Sequence, residues 1–131
     1  MVKFGYTILY VENVTDSIAF YENAFGFSRK FITPDNDYGD LVTGETTISF
    51  ASKTLAKSNL KDGFIESSLI DRPFAIELGF ITDDVAELVQ KATSFGARLV
   101  SEPHQKPWGQ MVSYVRDLDG FLIEICTSMD I

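Results

Sequence analysis

The chain has 131 residues, 45% of them apolar, one cysteine and a formal charge of −8. That length allows one cooperative core but excludes two large independent domains, and a lone cysteine excludes an intrachain disulfide. The acidic balance, with lysines and arginines scattered along the chain, argues against nucleic acid as a partner. Apolar runs such as residues 74–81 are broken by Glu77 and fall far short of the roughly 20 residues that cross a bilayer. No stretch has the form of a secretory signal, so the expectation is a cytoplasmic protein that binds no membrane. An acidic surface favours neutral or cationic ligands over anionic ones, although charge of this sign also serves solubility.

Residues 3–11 are rich in β-branched and aromatic side chains and read as a strand. Val14, Ile18, Tyr21 and Phe25 then recur at helical spacing, with Asn13 as N-cap, Asp16 three positions on and Gly26 as the stop. Residues 27–32, 38–43 and 46–51 read as short strands, separated by Pro34-Asp35-Asn36-Asp37 and by Gly44-Glu45. The order is strand, helix and three strands.

Residues 52–72 are polar and turn-rich, and are read as a linker that forms a short helix or a covering loop. The first order then returns: strand 75–82, a helix capped by Asp84 with Glu87 three residues later, and Phe95-Gly96 repeating Phe25-Gly26. Strands at 99–102, 111–116 and 122–127 follow, the last two joined through Asp119-Gly120. The reading is one α+β unit written twice: a module over 1–51, the linker 52–72 and a module over 73–131. Each copy leaves one sheet face uncovered, so the two are expected to pair as a curved mixed sheet around a cleft.

Several motifs carry a family resemblance: Val11-Glu12-Asn13, Phe20-Tyr21, Phe25-Gly26-Phe27, Pro107-Trp108-Gly109, and the ending Asp117-Leu118-Asp119-Gly120 with Glu124 four residues on. In order and spacing these resemble the vicinal-oxygen-chelate superfamily of glyoxalases, ring-cleaving dioxygenases and bleomycin-resistance proteins, over nearly the whole chain. Leu118 stands where that ending usually has proline. The resemblance implies cleft residues on the first and last strand of each module, which are Tyr6, Ser49, Glu77 and Glu124 here. Tyr6 and Glu77 replace the histidines usual in metal-dependent relatives.

Strand alternation points the same way. Ile123 and Ile125 have core parity, which leaves Leu122, Glu124 and Cys126 on the other face, and Glu77 lies opposite Ile76 and Leu78. Two carboxylates are too few for a site that needs three or four ligands, so no metal or other cofactor is assigned; Mg²⁺ held by two carboxylates and waters is the subordinate case. His104, the only histidine, is read as a solvated residue in a proline-bracketed loop. No Ser-His-Asp or Cys-His set can be assembled, and no glycine-rich phosphate loop is present.

Glu77 and Glu124 are the candidate catalytic pair, since two carboxylates on one face hold a proton near neutrality; the competing structural reading pairs each with separate donors. Tyr6, Ser49, Trp108, Tyr38 and Tyr114 are the candidate ligand-binding residues, with Trp108 placed by the resemblance at the cleft mouth. Phe20, Tyr21 and Phe25 read as packing.

The leading functional expectation is metal-independent binding of a small neutral or cationic, aromatic compound, similar to bleomycin-resistance proteins and so to antibiotic resistance. The alternative is a glyoxalase-type lyase or isomerase, or a dioxygenase-related enzyme, using Glu77 and Glu124. A homodimer is expected, because isolated modules expose sheet edges.

Overall fold

The computed structural model describes residues 1–129. Its elements are β1 (Thr7–Val11), α1 (Val14–Phe25), β2 (Ser28–Ile32), β3 (Tyr38–Val42), β4 (Thr47–Ser52), α2 (Lys53–Asn59), β5 (Glu77–Ile81), α3 (Val85–Ser94), β6 (Arg98–Gln105), β7 (Met111–Arg116) and β8 (Leu122–Cys126). They form two compact units, the first ending at Glu66 and the second opening at Ser67. Each unit holds a four-stranded mixed sheet, in the orders β1-β4-β3-β2 and β5-β8-β7-β6. The fold is thus α+β, with two βαβββ modules.

In the first unit β1 runs parallel to β4, and the crossover between them includes α1. A parallel pair needs such a crossover, which lays the helix on one sheet face. Val14, Ile18, Tyr21 and Ala24 of α1 are buried, as are Val11, Leu41 and Phe50 of the strands. Each large apolar side chain so enclosed contributes about 1.5–3 kcal/mol. Phe20 and Phe25 pack edge-on with ring centroids 5.8 Å apart. The caps lie at the residues expected from sequence: Asn13 accepts the Asp16 N–H at 2.9 Å, and Gly26 is left-handed with φ 75. At Gly39 the reason for glycine is space, since a Cβ would meet Ile18 Cδ1 at 2.5 Å and the Phe31 carbonyl oxygen at 2.9 Å.

In the second unit α3 is capped by Asp84, which accepts the Glu87 N–H at 3.1 Å. Its Val85, Val89 and Ala92 are buried, and Ile123 and Ile125 of β8 have no exposure. The turn before β8 is tied by Asp117, whose Oδ1 accepts the N–H groups of Asp119 and Phe121 at 3.0 and 2.9 Å. Arg116 is buried and donates to the carbonyls of Gly120, Asp71 and Ser68, at 2.8, 2.8 and 3.0 Å. The guanidinium therefore straps the segment from Ser68 to Asp71 onto the turn, satisfying carbonyls that would otherwise be costly to bury.

Several boundaries differ from the sequence reading. The expected strands 3–11 and 75–82 shorten to Thr7–Val11 and Glu77–Ile81, while 99–102 lengthens to Arg98–Gln105. His104 consequently lies in β6, paired in register with Val112, and not in a loop; it is exposed, as expected, with Nδ1 3.0 Å from the Glu102 carbonyl oxygen. The physical reason is that β6 shifts register twice along β7, between Leu99 and Ser101 and between Ser101 and His104. Pro103 lies in the second irregular stretch, where no ladder N–H is required of it. Within the linker the short helix forms as α2, with Ser52 as its N-cap.

Candidate functional site

Across the parallel β5–β8 pair Gly79 stands opposite Glu124, and Glu77 is two residues before Gly79, on the same side of the strand. Across the antiparallel β7–β8 pair Tyr114 stands opposite Glu124. The three side chains therefore share the face whose parity is opposite to that of Ile123 and Ile125. Tyr114 Oη donates to Glu124 Oε2 at 3.0 Å. Gly79 adds no side chain to this face, and a Cβ there would meet nothing within 4 Å. On the β5 side Glu124 therefore meets the Glu77 side chain and no side chain from its register partner.

Partial desolvation, then the hydrogen bond to Glu124 and that group's charge, lift Glu77 to about 7. Burial would raise Glu124 too, but hydrogen bonds from Glu77, Cys126 and Tyr114 together with the charge of Lys106 hold it below the usual glutamate range. Below about pH 7 the pair therefore holds one proton, on Glu77, with the negative charge on Glu124. Burial, followed by the bond to Glu124 and its charge, pushes Tyr114 up to about 12, so it is a neutral donor. The same causes push the Cys126 thiol up to about 11, which leaves it protonated and a poor nucleophile.

Trp108 is on the turn between β6 and β7 and is 62% exposed. Its indole Nε1 donates to Gln110 Oε1 at 3.0 Å, and Gln110 Nε2 donates to the Thr127 carbonyl at 3.0 Å. Lys106 Nζ lies 6.0 Å from the centre of the Trp108 ring.

In the first unit Ser49 is wholly buried and donates to Asp40 Oδ1 at 2.6 Å, across the register pair Asp40 to Ser49. Burial raises the Tyr38 hydroxyl pKa; a hydrogen bond with Ser49 opposes this, while Asp40 and Tyr6 add to it. Tyr6 itself precedes β1 and is 55% exposed. Tyr10 packs edge-on against Phe64 at 4.8 Å, which is a packing role.

The second unit thus gathers Glu77, Glu124 and Tyr114, with Trp108 linked through Lys106 and Gln110, and the first gathers Tyr38, Ser49 and Tyr6. Sequence reasoning missed Asp40, Lys106 and Gln110. Asp40 carried a signal, because it shares strand parity with Tyr38; Lys106 and Gln110 showed only as neighbours of the Trp108 loop.

These residues fit a divalent metal poorly. Glu77 and Glu124 supply two carboxylates, fewer than the three or four ligands such an ion needs, and Tyr114 is a neutral donor aimed at Glu124. Among the described residues no three His, Cys, Asp or Glu side chains cluster closely enough to hold a metal ion.

The model of the glyoxalase-like domain matches residues 4–130. A glyoxalase-related enzyme from Fulvimarina pelagi superposes with a TM-score of 0.82 at 19% identity, over 98% of this chain and 89% of that one. A glyoxalase/bleomycin resistance protein/dioxygenase family enzyme from Burkholderia phytofirmans does so with a TM-score of 0.81 at 20% identity, over 96% and 98%. A hypothetical protein from S. aureus gives 0.81 at 21% identity, over 98% and 95%. At such identities the likeness speaks for the fold alone. No curated protein matches the chain.

Proposed function

The chain belongs to the glyoxalase-like domain family, and from that premise we propose that it binds a small cationic, aromatic compound without a metal, on the sheet face that carries Glu124. The observation that carries this reading is the Tyr114 hydroxyl donating to Glu124 at 3.0 Å on this face, beside a carboxylate held below the usual glutamate range. A half-desolvated carboxylate attracts a cation more strongly than one in free water, and tyrosine and tryptophan rings supply flat, amphipathic contact area. Trp108 is the chain's only tryptophan, so its fluorescence reports occupancy directly. Titration with fixed-charge aromatic cations and matched anions tests the reading, which predicts saturable quenching by the cations alone; equal or stronger quenching by the anions would overturn it.

The homodimer belongs to the same proposal. Each sheet ends in unpaired edge strands, β1 and β2 in one and β5 and β6 in the other, and Ile76 and Ile81 near the β5 edge are 64% and 71% exposed. Pairing between two chains covers such edges. Light scattering should then give twice the 14.6 kDa chain mass.

One observation favours an enzymatic second reading, a lyase or isomerase of glyoxalase type. Glu77 titrates at about 7, where a carboxyl both accepts and returns a proton at working pH. Exchange of solvent deuterium into the α-carbon of carbonyl substrates, abolished by Glu77→Gln, is the result this reading requires.

A further inference from the structure

The turn that carries Trp108 also carries a cation of its own. The Lys106 N–H donates to the Gln110 carbonyl and the Gly109 N–H to the Lys106 carbonyl, both at 2.8 Å, with Gly109 left-handed at φ 95. These bonds fix the backbone beneath Lys106 and Trp108. The indole is held in turn by Gln110, itself tied to Thr127 just beyond β8. Onto this oriented ring the Lys106 ammonium is placed, 6.0 Å from its centre, at the distance where a cation is drawn to the negative face of an indole. The same ammonium is the positive charge felt at Glu124.

An alkylammonium against a tryptophan face, whose charge reaches a carboxylate, is the arrangement that a cationic aromatic ligand would need. We propose that Lys106 is a tethered stand-in for the ligand, occupying the Trp108 face in the free protein, so that a cation binds there only by displacing it. This deepens the proposed cationic reading and rests on it. The consequence is selectivity: a weak monocation competes poorly with a tethered one, whereas a ligand with larger ring area or a second charge prevails. Two cations near one carboxylate also repel each other, so removing the tethered charge strengthens the attraction of Glu124 for the incoming one.

The experiment uses benzyltrimethylammonium, whose charge does not change with pH, and 2-naphthalenesulfonate as its anionic counterpart. Both are titrated by Trp108 fluorescence and calorimetry into the full chain, its Lys106→Met variant and its Lys106→Arg variant at pH 6, where Glu77 holds its proton. An exposed cation–aromatic contact of this kind corresponds to about two- to fivefold in affinity. Lys106→Met should therefore bind benzyltrimethylammonium at least about twofold more tightly than the unaltered chain, while Lys106→Arg, which keeps a cation over the ring, should stay near it. Equal affinity in all three proteins would overturn the stand-in and leave the cationic reading intact. Weaker binding by Lys106→Met, or a Lys106-dependent affinity for the sulfonate, would show that Lys106 is itself a ligand contact and would overturn the inference. Failure of all three to bind the cation would overturn the cationic reading and the inference together.

Discussion

The two sheets share one strand order, and their faces opposite the helices differ at corresponding positions. In the first unit Ile8 stands beside Ser49 in the parallel register, and Ser49, without exposure, is committed to Asp40 at 2.6 Å. In the second Gly79 stands beside Glu124, which remains partly exposed and charged with Tyr114 as its donor. A branched side chain stands next to the hydrogen-bonded serine of the first sheet, and glycine next to the carboxylate of the second. One βαβββ framework thus carries a buried hydrogen bond at this position in one copy and a partly exposed carboxylate in the other.

Glycine substitutions put the greatest strain on this contrast. Gly39→Ala forces a methyl group against Ile18 and the Phe31 carbonyl, and should lower stability by about 1–3 kcal/mol in urea unfolding. Gly79→Ala meets open space and should stay within about 0.5 kcal/mol of the unaltered chain, the range of ordinary surface changes. Similar losses from the two would mean that the first sheet is not the tightly packed one at this strand position.

Charge removal at the last strands comes next. Glu124→Gln deletes the one negative charge of the pair, and the affinity for benzyltrimethylammonium should fall about tenfold, equivalent to 1.4 kcal/mol. Ser49→Ala should leave that affinity within about twofold, while lowering stability by roughly 1–3 kcal/mol through the loss of the bond to Asp40. Calorimetry on both variants decides it, and an equal loss of affinity would mean that the Glu124 charge is not what holds the cation.

The smallest expected effect is a slope. Glu77 keeps its proton up to about 7 in the folded chain, whereas an unfolded glutamate releases it near 4.3. Between those values the native state binds more protons than the unfolded state, so the contribution of Glu77 to stability declines as pH rises and levels off above about 7. Glu124, depressed on folding, works in the opposite sense: its contribution is present above the ordinary glutamate range and disappears as pH falls through its lower folded value. The stability of the unaltered chain relative to Glu77→Gln should therefore fall gently from pH 4.5 to 7, since Glu77 is partly open to water. Urea midpoints at four pH values measure this, and a difference that does not vary with pH would mean that no proton is held between the carboxylates.

Much of the molecule was legible because the signals were local or periodic. Asn13 with Asp16, and Asp84 with Glu87, marked helix starts that the structure places at those residues. Phe25-Gly26 and Phe95-Gly96 marked the stops, since a left-handed residue is cheapest as glycine. Period-two alternation sorted Ile123 and Ile125 from Glu124 before any contact was visible. The misplaced residue, His104, lies in a strand with two register shifts, which have no sequence period to betray them.

By itself, then, the sequence determined the doubled strand–helix–strand pattern, the helix caps and the strand faces, because each depends on residues within a few positions of one another. Only the tertiary structure decided who touches whom across strands. It brought Tyr114 to Glu124 and Ser49 to Asp40 and set Lys106 over Trp108. Those outcomes depend on register and on the fall of charge energy over a few ångströms, and neither can be read from spacing along the chain.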